Sequence, residues 1–226
     1  MSLKTYREKR NFEVTSEPGG KAKPAAKSAK QASKGSLIYV VQKHRATQLH
    51  YDFRLEHNGA LLSWAVPKGP CLDPAVKRLA MQVEDHPIEY AKFEGTIPKG
   101  EYGGGTVMVW DSGTWTPEQS DVNAALTKGD LKFTLHGKKL HGSWVLVRTR
   151  GFGGSSKPSW LLIKHKDEFA STEDITSTEP KSVVSGKLLA QIAADHGGDV
   201  EEAATGDPVV SRPVKAPVKK RTSTAK

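Results

Sequence analysis

Asn58-Gly59 stands between two runs in which large apolar residues recur at every second position, Tyr51-Asp-Phe-Arg-Leu-Glu56 and Ala60-Leu-Leu-Ser-Trp-Ala-Val66. The dipeptide suits the two positive φ angles of a two-residue type I′ turn, so the runs are predicted to form one β-hairpin in a single register. That register sets Leu55 opposite Leu62, Phe53 opposite Trp64 and Tyr51 opposite Val66 on one face. Arg54 then opposes Ser63, and Asp52 opposes Ala65, on the other. A slip of one residue would bury the charges. The hairpin therefore requires a core on one side and a polar stripe of His50, Asp52, Arg54 and Glu56 on its back.

Around it, residues 37 to 166 read as short β-branched and aromatic runs parted by turn residues. Strands are expected at Leu37–Gln42, Tyr51–Glu56, Ala60–Val66, Leu79–Glu84, Thr106–Trp110, Leu131–Leu135, Ser143–Arg148 and Trp160–Lys164. Eight short strands make an all-β domain, a small barrel or a sandwich. Strand 79 to 84 suggests a second stripe, with Leu79, Met81 and Val83 alternating against Arg78, Gln82, Glu84 and His86. Set beside the first hairpin, it would bring Arg78, Glu84 and His86 to the first cluster.

The flanks differ in composition. Residues 18 to 36 are Gly, Pro, Ala, Ser and Lys without an aromatic residue, too polar to offset the entropy of ordering, and are expected to be a mobile basic linker. Ahead of them, Lys9-Arg10-Asn11-Phe12 and Ser16-Glu17-Pro18 can dock on a folded body. After residue 168 one short amphipathic helix is expected at Lys187–His196, followed by a basic, Pro-interrupted and disordered tail. The organisation read is thus an arm and linker (1 to 36), a barrel domain (37 to 168) and a C-terminal extension (169 to 226).

The 226 residues carry a formal charge of +9, which points to a polyanionic partner, nucleic acid or an anionic membrane surface. No run of about 18 apolar residues is present and nothing resembles a secretory signal, so no membrane-spanning segment is expected and the protein reads as soluble and cytoplasmic. One cysteine, Cys71, excludes an intramolecular disulfide.

The chemistry lies in His44-Arg-Ala-Thr-Gln-Leu-His50-Tyr-Asp52-Phe-Arg54. Two imidazoles and a carboxylate suit a divalent transition ion, and a neighbouring guanidinium suits a phosphate held by it. Phosphoryl chemistry also needs positive groups around the developing charge, for which Arg54, Lys68, Arg78 and His86 are candidates. His57, His136, His141 and His196 read as structural or surface residues, and Glu101-Tyr102-Gly-Gly-Gly105 as a glycine-rich turn.

Beyond the triad, Val41-Gln-Lys-His44 through Glu56, Leu62-Ser-Trp-Ala-Val-Pro-Lys68-Gly-Pro70, Val83-Glu-Asp-His86-Pro, Phe93-Glu-Gly-Thr-Ile-Pro, Tyr102-Gly-Gly-Gly105 and Val109-Trp-Asp-Ser-Gly-Thr-Trp115 occur in one colinear order. Together they resemble the 3′-phosphoesterase domain of bacterial ligase D, from about Tyr6 to Glu168 and more weakly through Ser182–Gly186. With no polymerase or ligase sequence in it, the chain resembles the free-standing form of that domain. The resemblance implies a compact eight-stranded β-barrel with Mn²⁺ held by His44, His50 and Asp52, another divalent transition metal being the alternative. It implies that Arg54 and His86 contact the phosphate, that Lys68 and Arg78 add positive charge, and that Gln42, Glu84, Tyr90, Arg10 and Glu17 belong to the same site. It also implies a nucleoid-associated enzyme that acts on DNA 3′ ends before a ligase and a polymerase. There it would remove a terminal ribonucleoside and then the 3′-phosphate, with His86 a candidate proton donor to the leaving oxygen.

One position departs from the pattern. Arg10-Asn11 stands where the family commonly has Arg-Asp, so the phosphate-removing step is expected to be stronger than the ribonucleoside-removing one, since Asn is a poor general base. Two other classes compete. Two histidines and a carboxylate on a barrel also make the facial triad of a non-haem iron oxygenase, and basic tails also suit a non-catalytic module that binds nucleic-acid ends.

Overall fold

A computed structural model of the chain describes residues 3–20, 36–149 and 159–208. Most of the expected linker and the whole basic tail lie outside them. The elements run α1 (Lys4–Glu8), β1 (Leu37–Arg45), β2 (Leu49–His57), β3 (Ala60–Val66), β4 (Arg78–Gln82), a 3₁₀ turn (Ile88–Lys92), β5 (Gly95–Ile97), β6 (Gly105–Pro117), α2 (Val122–Lys128), β7 (Asp130–Gly137), β8 (His141–Arg148), β9 (Ser159–Lys164), α3 (Ile175–Thr178), α4 (Leu189–Asp195) and α5 (Val200–Ala204). Antiparallel pairing follows the order β1-β2-β3-β4-β9-β8-β7-β6, and β1 pairs again with β6 to close an eight-stranded barrel. The short β5 adds to the free edge at the start of β6.

The hairpin has the expected register, Leu55 with Leu62, Phe53 with Trp64 and Tyr51 with Val66. Its turn holds Asn58 at φ 50° and Gly59 at φ 79°, the left-handed pair that a type I′ turn needs. The inward residues join Trp110, Trp115, Phe133, Trp144, Leu146 and Trp160 in one apolar cluster, in which all five tryptophans are at most 2% exposed. Fully burying residues of this size stabilises by about 1.5 to 3 kcal/mol each, so this interior is the main source of stability.

Three differences from the sequence reading matter for the site. First, β6 continues seven residues past Trp110, because a bulge opposite Val41/Gln42 shifts the register there. The extra residue turns Asp111 and Trp115 inward after Met108 and Trp110, which breaks the alternation that marks a strand. Second, β4 lies beside β3 rather than beside β2, and its phase is opposite to that expected. Ala80 is its fully buried core residue and Gln82 accepts from the indole of core Trp160, so Arg78 shares the inward face while Leu79 and Met81 face out. Third, the described residues of the C-terminal extension form three short helices where one was expected. Leu189, Ile192 and Ala193 of α4 and Ala203 of α5 belong to the barrel's own apolar cluster.

The outer side of β1, β3 and β6 is covered as well. Val40, Leu61, Val107 and Val109 form a second cluster there with Tyr6 of the N-terminal arm and with Tyr90, Phe93 and Ile97. The polar stripe of β2 lies beside this cluster, roofed by the arm and by residues 83 to 104.

Candidate active site

His44 opposes His50 across the β1–β2 pair, and Gln42 opposes Asp52 two residues along. One ligand atom from each of His44, His50 and Asp52 lies within 4.8 Å of the others. Nδ1 of His44 and Nε2 of His50 are each 3.7 Å from Asp52 Oδ2. Nδ1–H of His50 donates to the Gln48 carbonyl at 3.0 Å, which leaves the Nε2 lone pair turned toward Asp52. Nε2 of His44 is buried without a hydrogen-bond partner. Buried polar atoms are rarely left so, and three converging donors, two of them imidazole, fit a divalent transition ion.

Burial lowers the pKa of His44 and outweighs the pull of Asp52, so this ring is neutral. Burial acts the same way on His50, but the hydrogen bond and charge of Asp52 prevail and raise it. Asp52 would be raised by burial, yet the Arg54 guanidinium and the two imidazoles hold its carboxyl well below the usual carboxylate range.

Arg54 is 2% exposed and held by three side chains. Its Nε donates to Gln42 Oε1 at 2.8 Å, Nη1 to Ser63 Oγ at 2.8 Å, and Nη2 lies 3.1 Å from Asp52 Oδ2. Gln42 passes the constraint on, since its Nε2 donates to the Tyr90 and Phe93 carbonyls, both at 3.0 Å. One guanidinium and one amide thus tie the metal-site strands to the 3₁₀ turn above them.

His86 arrives after β4 has ended, through an isolated bridge to Leu61. Its Nδ1 lies 2.8 Å from the Glu84 carbonyl and 2.9 Å from Arg54 Nη1, and its Nε2 lies 3.2 Å from Arg10 Nη2, so a guanidinium faces each ring nitrogen. Burial first, then the charges of Arg54 and Arg10, push its pKa well below the ordinary value. The ring is therefore neutral and sits between the two guanidiniums.

The arm completes the wall. Arg10 donates from Nε to Glu17 Oε1 at 2.9 Å and from Nη1 to Glu84 Oε1 at 3.3 Å, and stacks 3.9 Å from the Tyr6 ring. Tyr90 donates to the same Glu17 oxygen at 2.9 Å. Lys9 binds the other Glu84 oxygen at 3.0 Å and the Tyr102 hydroxyl at 3.1 Å. The resulting cavity of about 280 Å³ is lined by the metal triad, Arg10, Arg54, Val83, Glu84, His86, Tyr90 and Tyr102, among others.

Glu84 makes this docking acid-sensitive. Burial opposes its charge, but its backbone hydrogen bond, Lys9 and Arg10 lower its pKa below the ordinary 4.5. A depressed carboxylate contributes stability above its unfolded pKa and loses it as pH falls through the folded value. The arm is therefore expected to stay docked at pH 7 and to release below about pH 4.5. Faster amide hydrogen exchange in residues 4 to 17 at low pH, reproduced at pH 7 by Glu84→Gln, is the check. Equal protection in all three samples would refute it.

Of the residues expected from sequence, Arg10, Glu17, Gln42, His44, His50, Asp52, Arg54, Glu84, His86 and Tyr90 come together. Glu17 and Gln42 act from behind the cavity wall rather than in it. Lys68 does not join them; it is exposed in the turn after β3. Arg78 does not either. It lies on the inward face of β4, with its Nε buried and unpartnered. Asn11 is exposed and its Oδ1 accepts from the Glu13 amide at 3.1 Å. Missed from sequence were Lys9, Tyr102 and Ser63, of which only Ser63, small and opposite Arg54, had a readable signal.

Residues 42–148 match the family model of the DNA Ligase D 3′-phosphoesterase domain. Over 190 residues, 83% of this chain, the sequence is 54% identical to the multifunctional non-homologous end joining protein LigD of Pseudomonas aeruginosa. It is 41% identical over 171 residues to LigD of Mycolicibacterium smegmatis and 44% identical over 166 residues to that of Mycobacterium tuberculosis, 74% of this chain in each case. The chain spans 22%, 21% and 20% of the length of these three relatives. The matched segment runs from Gln42, behind the metal triad, to Arg148 at the end of β8, so it takes in every strand that shapes the cavity. With the barrel, the His-His-Asp cluster and this identity in agreement, the chain belongs to the ligase D 3′-phosphoesterase domain family.

Proposed function

We propose that this protein is a metal-dependent 3′-end-healing phosphoesterase that clears phosphate from nucleic-acid 3′ ends and leaves a 3′-hydroxyl for repair. The observation that carries this reading is a His44–His50–Asp52 cluster facing two buried guanidiniums in one cavity. Mn²⁺ is the metal assigned, and a divalent ion at these donors supplies a Lewis acid and an acidified water. The chain's own groups do the rest. Asp52 stays anionic and His44 neutral, which keeps the donors competent at neutral pH. Arg10 and Arg54 offer guanidinium N–H groups to the phosphate oxygens, and a water-poor wall strengthens those contacts. Neutral His86 lies 2.9 Å from Arg54 Nη1 and 3.2 Å from Arg10 Nη2, orients both guanidiniums and joins them at the phosphate. A small oxo-acid cosubstrate needs one such cation, so the pair favours phosphate over the iron-oxygenase reading.

The substrate assigned is a DNA or RNA-tipped DNA end, with a ligase and a polymerase acting next in the nucleoid of the cytoplasm. Phosphate release is the stronger step because Asn11 is uncharged. The test is a set of 3′-phosphate and 3′-monoribonucleotide primer-templates with a panel of metals. With Mn²⁺ the wild-type protein is expected to release phosphate efficiently and to remove the ribonucleoside slowly. Asn11→Asp is expected to speed the second reaction about tenfold or more, within the range general bases contribute, and to leave the first unchanged. A 3′-phosphate end untouched with every metal, though still bound, would leave the non-catalytic end-binding module as the reading.

A further inference from the structure

Beside the metal cavity runs a larger groove of about 760 Å³, and the two share Ala46, Ile97 and Gly103 in their walls. One wall of the groove is the loop from Pro98 to Thr106. The other is the α4–α5 connection, from His196 to Glu202, which lies beyond the segment matched by the family model. Both walls present backbone at close range. A Cβ on Gly105 would come within 2.1 Å of the Arg45 carbonyl oxygen, and one on Gly198 within 2.4 Å of Thr96 Oγ1. Glycine at these points lets neighbouring chain segments pack this closely.

The N-terminal arm is fixed at the rim of the metal cavity. Lys9, Arg10, Glu84 and Tyr102 are cross-linked there by hydrogen bonds and ring stacking. A strand whose 3′-phosphate sits among Arg10, Arg54 and the triad can leave past Ala46, Ile97 and Gly103, the wall that the cavity shares with the groove.

Two cations stand along that exit, and both are held by carboxylates. Lys99 Nζ is 3.4 Å from Asp199 Oδ2 and 3.6 Å from Glu202 Oε2, with its side chain 82% exposed. Arg45, the residue after His44, lies 4.0 Å from Glu202 Oε1 and donates from Nε to Thr205 Oγ1 at 2.7 Å. The exposed Lys99 pairs are weak, the Arg45–Glu202 pair is at the 4.0 Å limit of contact, and a strand phosphate is a stronger partner than either carboxylate.

We propose that this groove carries the sugar–phosphate backbone of the strand that ends at the reacting 3′-phosphate, with Arg45 and Lys99 exchanging Glu202 and Asp199 for strand phosphates. The acidic pair then acts as a counter-charge that only a strand threaded toward the metal cavity displaces. This inference rests on the phosphoesterase reading for its polarity.

The test measures fluorescence anisotropy of the full chain with a labelled 3′-phosphate primer-template, in chelator so that no turnover occurs, over a salt series. Arg45→Ala/Lys99→Ala is expected to weaken binding about tenfold at 0.1 M salt and to reduce the log–log salt slope by about 2, at about 0.9 for each phosphate no longer neutralised. Asp199→Asn/Glu202→Gln is expected to tighten binding about threefold or more by freeing both cations, and Asn at 199 keeps the α5 N-cap. Lys128→Ala/Lys132→Ala, two exposed cations remote from the groove, controls for loss of charge alone. The proposal is overturned if the groove pair weakens binding no more than this control, or if the carboxylate pair fails to tighten it. Groove-dependent binding without phosphate release would sink the catalytic reading and leave this one standing; phosphate release with groove-independent binding would do the reverse.

Discussion

Asp52→Asn is expected to lower phosphate release from a 3′-phosphate end by about 10³-fold or more with the barrel still folded, because one carboxylate serves both the metal and the cations. Its Oδ2 lies 3.7 Å from each imidazole and 3.1 Å from Arg54. Asn keeps the volume and one carbonyl oxygen but removes the charge. The donor set then loses its only anion, while Arg10 and Arg54 remain and repel a divalent ion. Metal affinity measured by calorimetry should fall with activity, and the circular dichroism spectrum should not change. Retention of even a tenth of the activity at saturating Mn²⁺ would show that the reacting phosphate is handled elsewhere.

Arg54→Lys should damage stability as well as activity. Arginine reaches Gln42, Ser63 and Asp52 at once from a rigid fork, with His86 2.9 Å from Nη1, and all of these are buried. A lysine ammonium is a point charge on a flexible stem and cannot meet three partners on different sides. Leaving Gln42 Oε1 or Asp52 without its donor costs about 1 to 3 kcal/mol for each buried group, so a loss of about 2 to 4 kcal/mol in urea unfolding is expected. Phosphate release should fall about 10²-fold, the usual order for one preorganised donor. Lys68→Ala should change stability by no more than about 0.5 kcal/mol, because the side chain is exposed and outside the cavity. Its activity should stay within a factor of two or so of wild type. If the two variants behave alike, Arg54 is not the hub that its contacts describe.

The contrast between these cations shows where sequence reasoning reached and where it stopped. Arg54 and Lys68 are both cationic side chains, and charge alone does not distinguish them as ligands. Arg54 could be placed because it lies in a hairpin of known register; Lys68 could not, because it follows the hairpin in a turn. Arg78 failed for a different reason. Val83 and Met81 alternate with Gln82 and Glu84 as an outward-polar strand would, yet the small Ala80 is the residue that faces the core, with Gln82 bonded to Trp160. Period two fixes which residues share a face but not which face is inside, and a barrel interior crowded by five tryptophans accepts an alanine there. In β6 the bulge at Trp110 broke the period itself, which hid the second half of the strand.

The arm and the C-terminal helices were legible only as possibilities. Tyr6, Arg10 and Glu17 carry no periodic signal, and their partners Glu84, His86 and Tyr90 are more than seventy residues away. The α4–α5 wall of the groove was equally out of reach, since its meeting with the loop after β5 is a contact between irregular segments.

What the sequence determined by itself was the hairpin and its consequence: His50, Asp52 and Arg54 on one face, with small residues opposite. A two-residue turn and a side-chain period of two are local properties, so no knowledge of the rest of the chain was needed. Tertiary structure decided what surrounds that face. Barrel closure, the bulge and the irregular stretch after β4 bring Arg10, Glu84, His86 and Tyr102 over it, and turn Arg78 away. Such contacts depend on where distant segments pack, and apolar burial, which drives that packing, has no direction from which a single sequence could read it.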